Sequence, residues 1–419
     1  MIIEELKNIP SKVPLEQFDI GSFSKDKIRE LFRSGKVPTA EAMVEEILLR
    51  ALKEGATDLH FEPAETELRI RLGFDGIMKR LISLPKEISE NLTNVVKTRG
   101  SLNAFEKKKP QEGRFSMTVG TVQFDIRMST LPIIHGERIA LRILQKNARV
   151  ANIEELGFSQ ENLQKVRLLL RRPTGLFLVT GPSSSGKSTT VNAAVNDIQT
   201  PEKNIMTVEN PIEYKLDFAS QVTASSDKSL TFADALRAIL HQNPNVIMLG
   251  EIRDADTGIV AAEAALTGNL VLSTMLSGDA VGSIFRLMNL GIPPFWLAST
   301  LIGIVYQQLV RKICPSCKEE HEVSGEQHGA LVNMISGQNK FFRGKGCEKC
   351  ERSGYLGRTA IHEVLIVNDQ IRDLIYQQAS ILKLKEAARA SGFQNIFQDT
   401  LNKVNTGVTT VAEFTRALG

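Results

Sequence analysis

Long apolar runs are missing from this chain. The most apolar stretch of its C-terminal half, Leu297 to Val310, is broken by Ser299, Thr300, Gln307 and Gln308, and a membrane-spanning helix needs about 20 apolar residues. An excess of either charge is also missing. Lys plus Arg number 51 and Asp plus Glu 48, a net +3, which is too balanced to argue for a nucleic acid or a membrane surface. The first residues, MIIEELKNIPSK, have no basic segment leading into an apolar one, so no signal peptide is expected. Repeats of fixed period and low-complexity tracts are absent. Cysteine is scarce: four residues in two C-x-x-C pairs, which in a chain without an export signal favours a metal over disulfides. The single Trp, Trp296, reads as packing. What remains is the ordinary composition of a soluble globular protein, 42% apolar and 24% charged. It excludes disorder, collagen and coiled coil for the bulk of the chain. At 419 residues, about two to three domains are expected, in a cytosolic protein.

Residues 1–36 are weakly patterned. From Thr39, Met43, Val44, Ile47, Leu48, Ala51 and Leu52 recur at helical spacing, with Gly55 as a stop. Leu68, Ile70 and Leu72 alternate with Arg69 and Arg71, and Val122, Phe124, Ile126 and Met128 alternate with Gln123, Asp125 and Arg127, the period of strands. With the run Ile139 to Leu144, these predict a small α+β domain over 37–145. The alternation is read as placing Arg127 on one face and Arg138 with Arg142 on another. Residues 146–160 read as a linker. Alternating strand and helix patterns over 161–310 predict an α/β domain with a mostly parallel sheet. A four-Cys module over 311–352 and a helical C-terminal region over 353–419 complete the chain.

The chemistry is concentrated after one apolar run. Leu176 to Thr180 reads as a strand, leads into Gly181-Pro182-Ser183-Ser184-Ser185-Gly186-Lys187-Ser188, and Thr189-Thr190-Val191 opens a helix. That is G-x-x-x-x-G-K-S in strand–loop–helix context, the phosphate-binding P-loop. Backbone N–H groups at a helix N-terminus hold phosphate oxygens, Lys187 reaches the terminal phosphates, and the Ser188 hydroxyl ligates Mg²⁺. A second buried run, Val246 to Leu249, ends at Gly250-Glu251, an acid placed where a Mg²⁺ or water-positioning group beside a phosphate loop belongs. Glu209 and Glu213 come after another short strand, although on spacing alone a solvated loop accounts for them equally well. Thr231 with Asp234 resembles a capping box. Phe232, Ala235, Leu236, Ile239 and Leu240 form a buried stripe behind it, which leaves Arg237 and His241 on the opposite face.

Cys314-x-x-Cys317 and Cys347-x-x-Cys350 each present two thiolates, a full tetrahedral set for Zn²⁺. All four positions being protein sulfur, the site reads as structural. His321 is surplus to it.

GPSSSGKSTT, TVENPIEY, NPNVIMLGEIRD and TGNLVLSTM, in this order, resemble the ATPases of type II secretion and type IV pilus assembly. GATDLHFEP, KPQEGRFSM and DIRMSTLPIIHGERIALRIL resemble that family's second N-terminal domain. CPSC and GCEKC resemble its zinc module, and SGYLGRTAIHEV the segment C-terminal to that module. The resemblance implies a RecA-like ATPase domain preceded by a PAS-like α+β domain. It implies a hexameric motor using ATP, Mg²⁺ and structural Zn²⁺, cytoplasmic and held at the inner membrane by docking and platform proteins, without nucleic acid. It assigns Lys187 and Ser188 to the phosphate loop and Glu209 and Glu213 to an acidic box. Glu251 ends the second strand, Arg127 and Arg142 are the first-domain arginines that would supply positive charge to the γ-phosphate, and Arg237 is the first of a helical arginine pair.

The sequence departs from the family's pattern in clusters. His241 stands for the second helical arginine, Asn243 and Asn245 for acids, and Asn210 for the Asp of the acidic box. Asn269 and Leu276 replace the histidines of the histidine box, Gly73 an arginine before Asp75-Gly76, and Ser184 a glycine. Read as a shell around the γ-phosphate, these changes predict slow hydrolysis, because lost transition-state donors cost catalysis more than binding. The alternative to a motor is then a nucleotide-binding, hydrolysis-impaired ring subunit working beside an active paralogue. Residues 1–36 are too few for the family's separate docking domain, so weakened recruitment to the membrane platform is expected.

Overall fold

The computed structural model describes residues 38–74, 76–145, 149–225, 229–321 and 341–418. The chain divides into two compact units, Met1–Ala148 and Arg149–Gly419. The expectations for residues 1–36 and Asp75 lie outside the described residues. Among the described residues no helix is long and apolar enough to cross a membrane.

In the first unit, helix α1 (Ala40–Lys53) is capped by Thr39, whose hydroxyl accepts from the Ala42 N–H. Strands β1 (Asp58–Pro63), β2 (Glu67–Phe74) and β3 (Ile77–Pro85), helix α2 (Ser89–Arg99), and strands β4 (Gln111–Val119), β5 (Val122–Ile133) and β6 (Gly136–Gln145) come next. The sheet order is β3-β2-β1-β6-β5-β4, with every pairing antiparallel. One face carries Leu59, Phe61, Ile70, Ile126, Met128, Ile139 and Leu141 into a core shared with Met43, Ile47 and Leu48 of α1 and Leu92 of α2.

The other face carries the arginines, and here the structure corrects the sequence reading. Strands β5 and β6 pair Ile133 with Gly136 and Arg127 with Arg142. Directly opposed residues of an antiparallel pair share a face, so Arg127, Arg138 and Arg142 all lie on one face. The tight turn at Ile134-His135 sets that register, which alternation within a single strand does not reveal.

The second unit opens with the turn Ile153–Leu156. Ile153, expected in a linker, is buried against Val166, Leu169 and Val195. The remaining elements are α3 (Gln160–Leu170), β7 (Gly175–Thr180), α4 (Lys187–Ile198), β8 (Ile205–Glu209), β9 (Ser220–Thr223), α5 (Phe232–Leu240), β10 (Val246–Leu249), α6 (Ala255–Leu266), β11 (Leu270–Met275), α7 (Ala280–Asn289), α8 (Pro294–Thr300), β12 (Leu301–Ile313), β13 (Lys318–His321), β14 (Phe341–Gly344), β15 (Tyr355–Ile366), α9 (Asp369–Tyr376), α10 (Ile381–Ala390), α11 (Ile396–Asn405) and α12 (Val411–Leu418). The main sheet runs β15-β12-β7-β11-β10-β8-β9. All pairings are parallel except β12 with β15. Every residue of β7, β10 and β11 is buried. Leu176 and Leu178 face one core layer, Phe177 and Val179 the other. This two-sided burial is why these strands read as continuous apolar runs.

The helical C-terminal region holds from α9 onward, but its opening is a strand. Strand β15 pairs with β12 from Gly303↔Ile366 to Ile313↔Tyr355 and forms the antiparallel edge of the main sheet. Likewise β12 runs on past residue 310, the expected domain limit, to the threshold of Cys314.

Candidate functional site

Strand β7 is flanked by β11 and β12, so the loop at its C-terminal end emerges from the centre of a parallel sheet, where α/β folds bind ligands. The loop Gly181–Gly186 caps α4, with Gly186 at φ 84° as the left-handed entry to the helix. Gly181 is required for space: a Cβ there would lie 2.3 Å from the Gln307 carbonyl oxygen. Ser184 is held at φ 60°, left-handed without being glycine, an arrangement that costs about 1–2 kcal/mol. Lys187 Nζ donates to the carbonyls of Gly181 (3.2 Å) and Pro182 (2.7 Å), lying over the loop it would bridge to a phosphate. Burial lowers its pKa, partly offset by the charges of Glu251 and Glu213. Ser188 is the second residue of α4, and Thr189 Oγ1 lies 3.1 Å from the Tyr214 hydroxyl.

The structure thus brings Glu251 and Glu213 into the field of Lys187. Glu209 ends β8 at the same edge of the sheet. It is buried, accepts from Thr207 Oγ1 (2.7 Å) and Gln221 Nε2 (3.0 Å), and its pKa is raised chiefly by burial. Glu251 comes just after β10. Its neighbourhood is fixed by Gly250 N–H to the Val208 carbonyl (2.8 Å) and Thr274 Oγ1 to the Gly250 carbonyl (2.6 Å). Glu251 also pairs with Arg253, whose pKa it raises. Arg237 is engaged elsewhere, with Asp234 at 3.3 Å and Asp256 at 2.6 Å. Sequence reasoning missed Arg253, Tyr214 and Gln307. Arg253 and Tyr214 each stand at the end of a family-like motif, NPNVIMLGEIRD and TVENPIEY, and could have been found there; Gln307 stands in none.

The shell of altered residues divides in two. Ser184, Asn210 and Leu276 come after β7, β8 and β11 and lie at the loop's edge of the sheet. Asn243, Asn245 and Asn269 do not. Asn245 precedes β10, where its side-chain oxygen accepts from the Asn204 N–H at 2.8 Å. Asn269 precedes β11 and donates to the Pro244 carbonyl at 2.6 Å. Parallel strands begin at the edge opposite their phosphate-binding ends, and the six residues of β11 span about 20 Å. The expectation that these changes lie around the γ-phosphate more than around the general fold is corrected for Asn243, Asn245 and Asn269.

Within the first unit, the pairings Arg114↔Arg127, Arg127↔Arg142, Asp58↔Arg142 and Asp58↔Gly73 define one row across five strands. Arg142 Nε donates to Asp58 at 3.1 Å. Like charges directly opposed across strands repel, and Arg114, Arg127 and Arg142 stand side by side in this row, with Asp58 answering Arg142. Gly73, where the family resemblance expects arginine, sits in this same row.

The four cysteines converge. Sγ separations are 3.9 Å for Cys314–Cys347, 3.8 Å for Cys317–Cys350 and 3.7 Å for Cys347–Cys350, and all four sulfurs lie within 4.8 Å of one another. Four thiolates at about 2.3 Å from a tetrahedral Zn²⁺ stand about 3.8 Å apart, so the set fits that ion. N–H groups of Gly346 and Cys347 donate to Cys317 and Cys350 sulfurs at 3.3 and 3.1 Å. Burial would raise the Cys350 thiol, but hydrogen bonds from the Cys347 and Gly354 backbone and from the Cys347 and Cys317 thiols hold it at about 6, while burial pushes the Cys317 thiol up to about 12. The turn needs Gly344, because a Cβ there would meet the Gly354 carbonyl oxygen at 1.9 Å.

A central parallel sheet with a P-loop, acids converging on its lysine, a separate arginine-faced unit and a four-thiolate centre define a P-loop ATPase of the RecA-like class. The chain matches the family described as Type II/IV secretion system protein over residues 34–416, and it belongs to that family. It is 41% identical to the type II secretion system ATPase E of Vibrio cholerae over 374 residues, 89% of this chain and 74% of that protein. It is 40% identical to the type IV pilus assembly ATPase PilB of Thermus thermophilus over 377 residues, 89% of this chain and 42% of that protein. Among solved structures it resembles the pilus retraction motor PilT with bound ADP (TM-score 0.58, 28% identity, 88% of this chain and 95% of that one). The Legionella pneumophila ATPase DotB shares the fold (TM-score 0.65, 19% identity, 90% and 95% covered).

Proposed function

We propose that this protein binds Mg-ATP and hydrolyses it as a hexameric cytoplasmic motor that powers assembly of a pseudopilus or pilus, docked at the inner membrane through partner proteins. The observation that carries the reading is Lys187 on its loop with Glu251 and Glu213 in its field. The N–H groups of the loop and the α4 N-terminus bind the phosphates. Lys187 leaves the Gly181 and Pro182 carbonyls for the terminal phosphate, and the Ser188 hydroxyl with nearby acids would hold Mg²⁺, which supplies charge neutralisation when bound. Glu251 orients the attacking water once Arg253 yields its carboxylate, and buried Glu209 with exposed Glu213 shapes the acidic side. Arg127 and Arg142 supply positive charge to the terminal phosphate. Arg237 serves that end only after leaving Asp256. Zn²⁺ on Cys314, Cys317, Cys347 and Cys350 is structural.

A second reading, a hydrolysis-impaired ring subunit, is favoured by Leu276 and Asn210. Both lie at the loop's edge, and Leu276 offers no hydrogen bond. Binding of ATP and ADP to the wild type and to Lys187→Ala, with turnover measured on the same samples, separates the two readings. Lys187-dependent binding with turnover supports the motor, and binding without turnover supports the impaired subunit. No binding overturns both.

A further inference from the structure

We infer that Gln307 positions the phosphate-binding loop, aiming the Gly186 N–H at the bound phosphate and holding Ser184 left-handed. This deepens the nucleotide-binding reading above and rests on it. Strand β12 runs parallel to β7 with Tyr306 opposite Thr180, so Gln307 stands where β7 gives way to the loop. Its side chain is completely buried. Nε2 donates to the Ser185 carbonyl at 2.6 Å. The Gln307 backbone carbonyl closes on Gly181, and a Cβ at Gly186 would lie 3.2 Å from Nε2. One residue therefore touches both the entry and the exit of the loop.

The geometry of the peptide explains what that contact does. The C=O of Ser185 and the N–H of Gly186 belong to one planar trans unit and point in opposite directions. Drawing the carbonyl toward β12 turns the N–H outward, to the side where the α4 N-terminus meets an anion. A carbonyl released from this hold is free to rotate into the anion's place and repel it. The Ser184 conformation at φ 60° adds the need for a tether, because a serine favours negative φ and pulls the loop away from this shape. The burial itself points the same way. Gln307 Oε1 and Ser185 Oγ are both buried without a hydrogen-bond partner. An apolar side chain would occupy the site without that cost, so the amide's donor is what the position requires.

The test uses Gln307→Met, which keeps length and burial and removes the donor, with fluorescent ADP as the probe and the full-length protein. The expected result is ADP binding about three- to tenfold weaker, the size of one neutral hydrogen bond, with melting temperature and zinc content unchanged. Ser184→Gly should raise affinity more in the Gln307→Met background than in the wild type, because the untethered loop feels the serine's preference most. A purely structural Gln307 would lower the melting temperature and show no such background dependence. If Met disturbs folding, Gln307→Asn, whose amide falls short of the Ser185 carbonyl, must show the same loss and the same recovery. Wild-type affinity in either folded variant, or an equal Ser184→Gly effect in both backgrounds, overturns the proposal alone. Failure of the wild type to bind ADP overturns the nucleotide reading and this proposal with it.

Discussion

Half-buried Lys187 and fully buried His362 show opposite uses of a basic group. Lys187 is held over its loop with acids nearby to receive charge, and its site was legible because the P-loop is a contiguous motif whose chemistry arises from local geometry. His362 has no such signature. It is fully buried, stacked on Phe158 with centroids 3.8 Å apart, and both ring nitrogens lack partners. Asp399 Oδ2, at 4.0 Å from Nδ1, is taken by Lys403 at 2.5 Å and by the His362 N–H at 2.9 Å. Burial, and then the Lys403 charge, push the His362 pKa well below its ordinary value. The unfolded chain therefore binds a proton at this side chain below about pH 6.5 that the folded chain does not, so stability falls on acidification from there. Thermal melts between pH 7 and 5 should show this fall. His362→Phe should flatten it and leave stability at pH 7 equal or higher, because two orphaned nitrogens are removed. A melting temperature that drops several degrees at pH 7 in that variant would contradict the assignment.

At the scale of elements, strands and helices were legible where one face is buried, and the arginine row was not, because register comes from pairing and turn length. The row places Arg127 between Arg114 and Arg142. Arg127→Ala is expected to cut ATP turnover by about a thousandfold, the scale of an arginine finger, with ADP binding nearly unchanged. Comparable losses in both would assign Arg127 to ground-state binding. Strand β15 was missed because its partner, β12, lies more than 40 residues earlier across the cysteine module. That edge is secured by Glu413 of α12, which is fully buried and bonds Arg311 Nη2 at 2.6 Å and Arg416 Nε at 2.8 Å. Burial would raise its pKa, but Arg416 and Arg311 overcome it and hold the carboxyl at about 2. This contribution is present above about pH 4.5 and is lost as pH falls toward 2. Glu413→Ala leaves Arg311 unpaired and should cost about 3–5 kcal/mol in denaturant unfolding. A cost under about 1 kcal/mol would show the pair to be solvent-screened.

At the scale of the whole molecule, the four-thiolate centre and the P-loop share one strand, since β12 carries Gln307 and ends at Ile313 beside Cys314. The spacing of the two C-x-x-C pairs made the metal site legible, whereas Gln307, set by strand adjacency, left no pattern in the sequence. Metal analysis should give about one Zn²⁺ per chain. Its removal by a chelator at neutral pH should lower the melting temperature of the second unit, and zinc near zero in an undamaged, folded preparation would refute the site.

As proposed above, Lys187 and the acids around it drive ATP hydrolysis in this member of the Type II/IV secretion family. The most direct measurement is Mg-ATP hydrolysis by purified protein over a range of concentrations, with Lys187→Ala as the blank and oligomer size followed on the same samples. A hexameric motor gives turnover above the blank that rises with the hexamer fraction. Tight nucleotide binding with turnover equal to the blank at every concentration would contradict it.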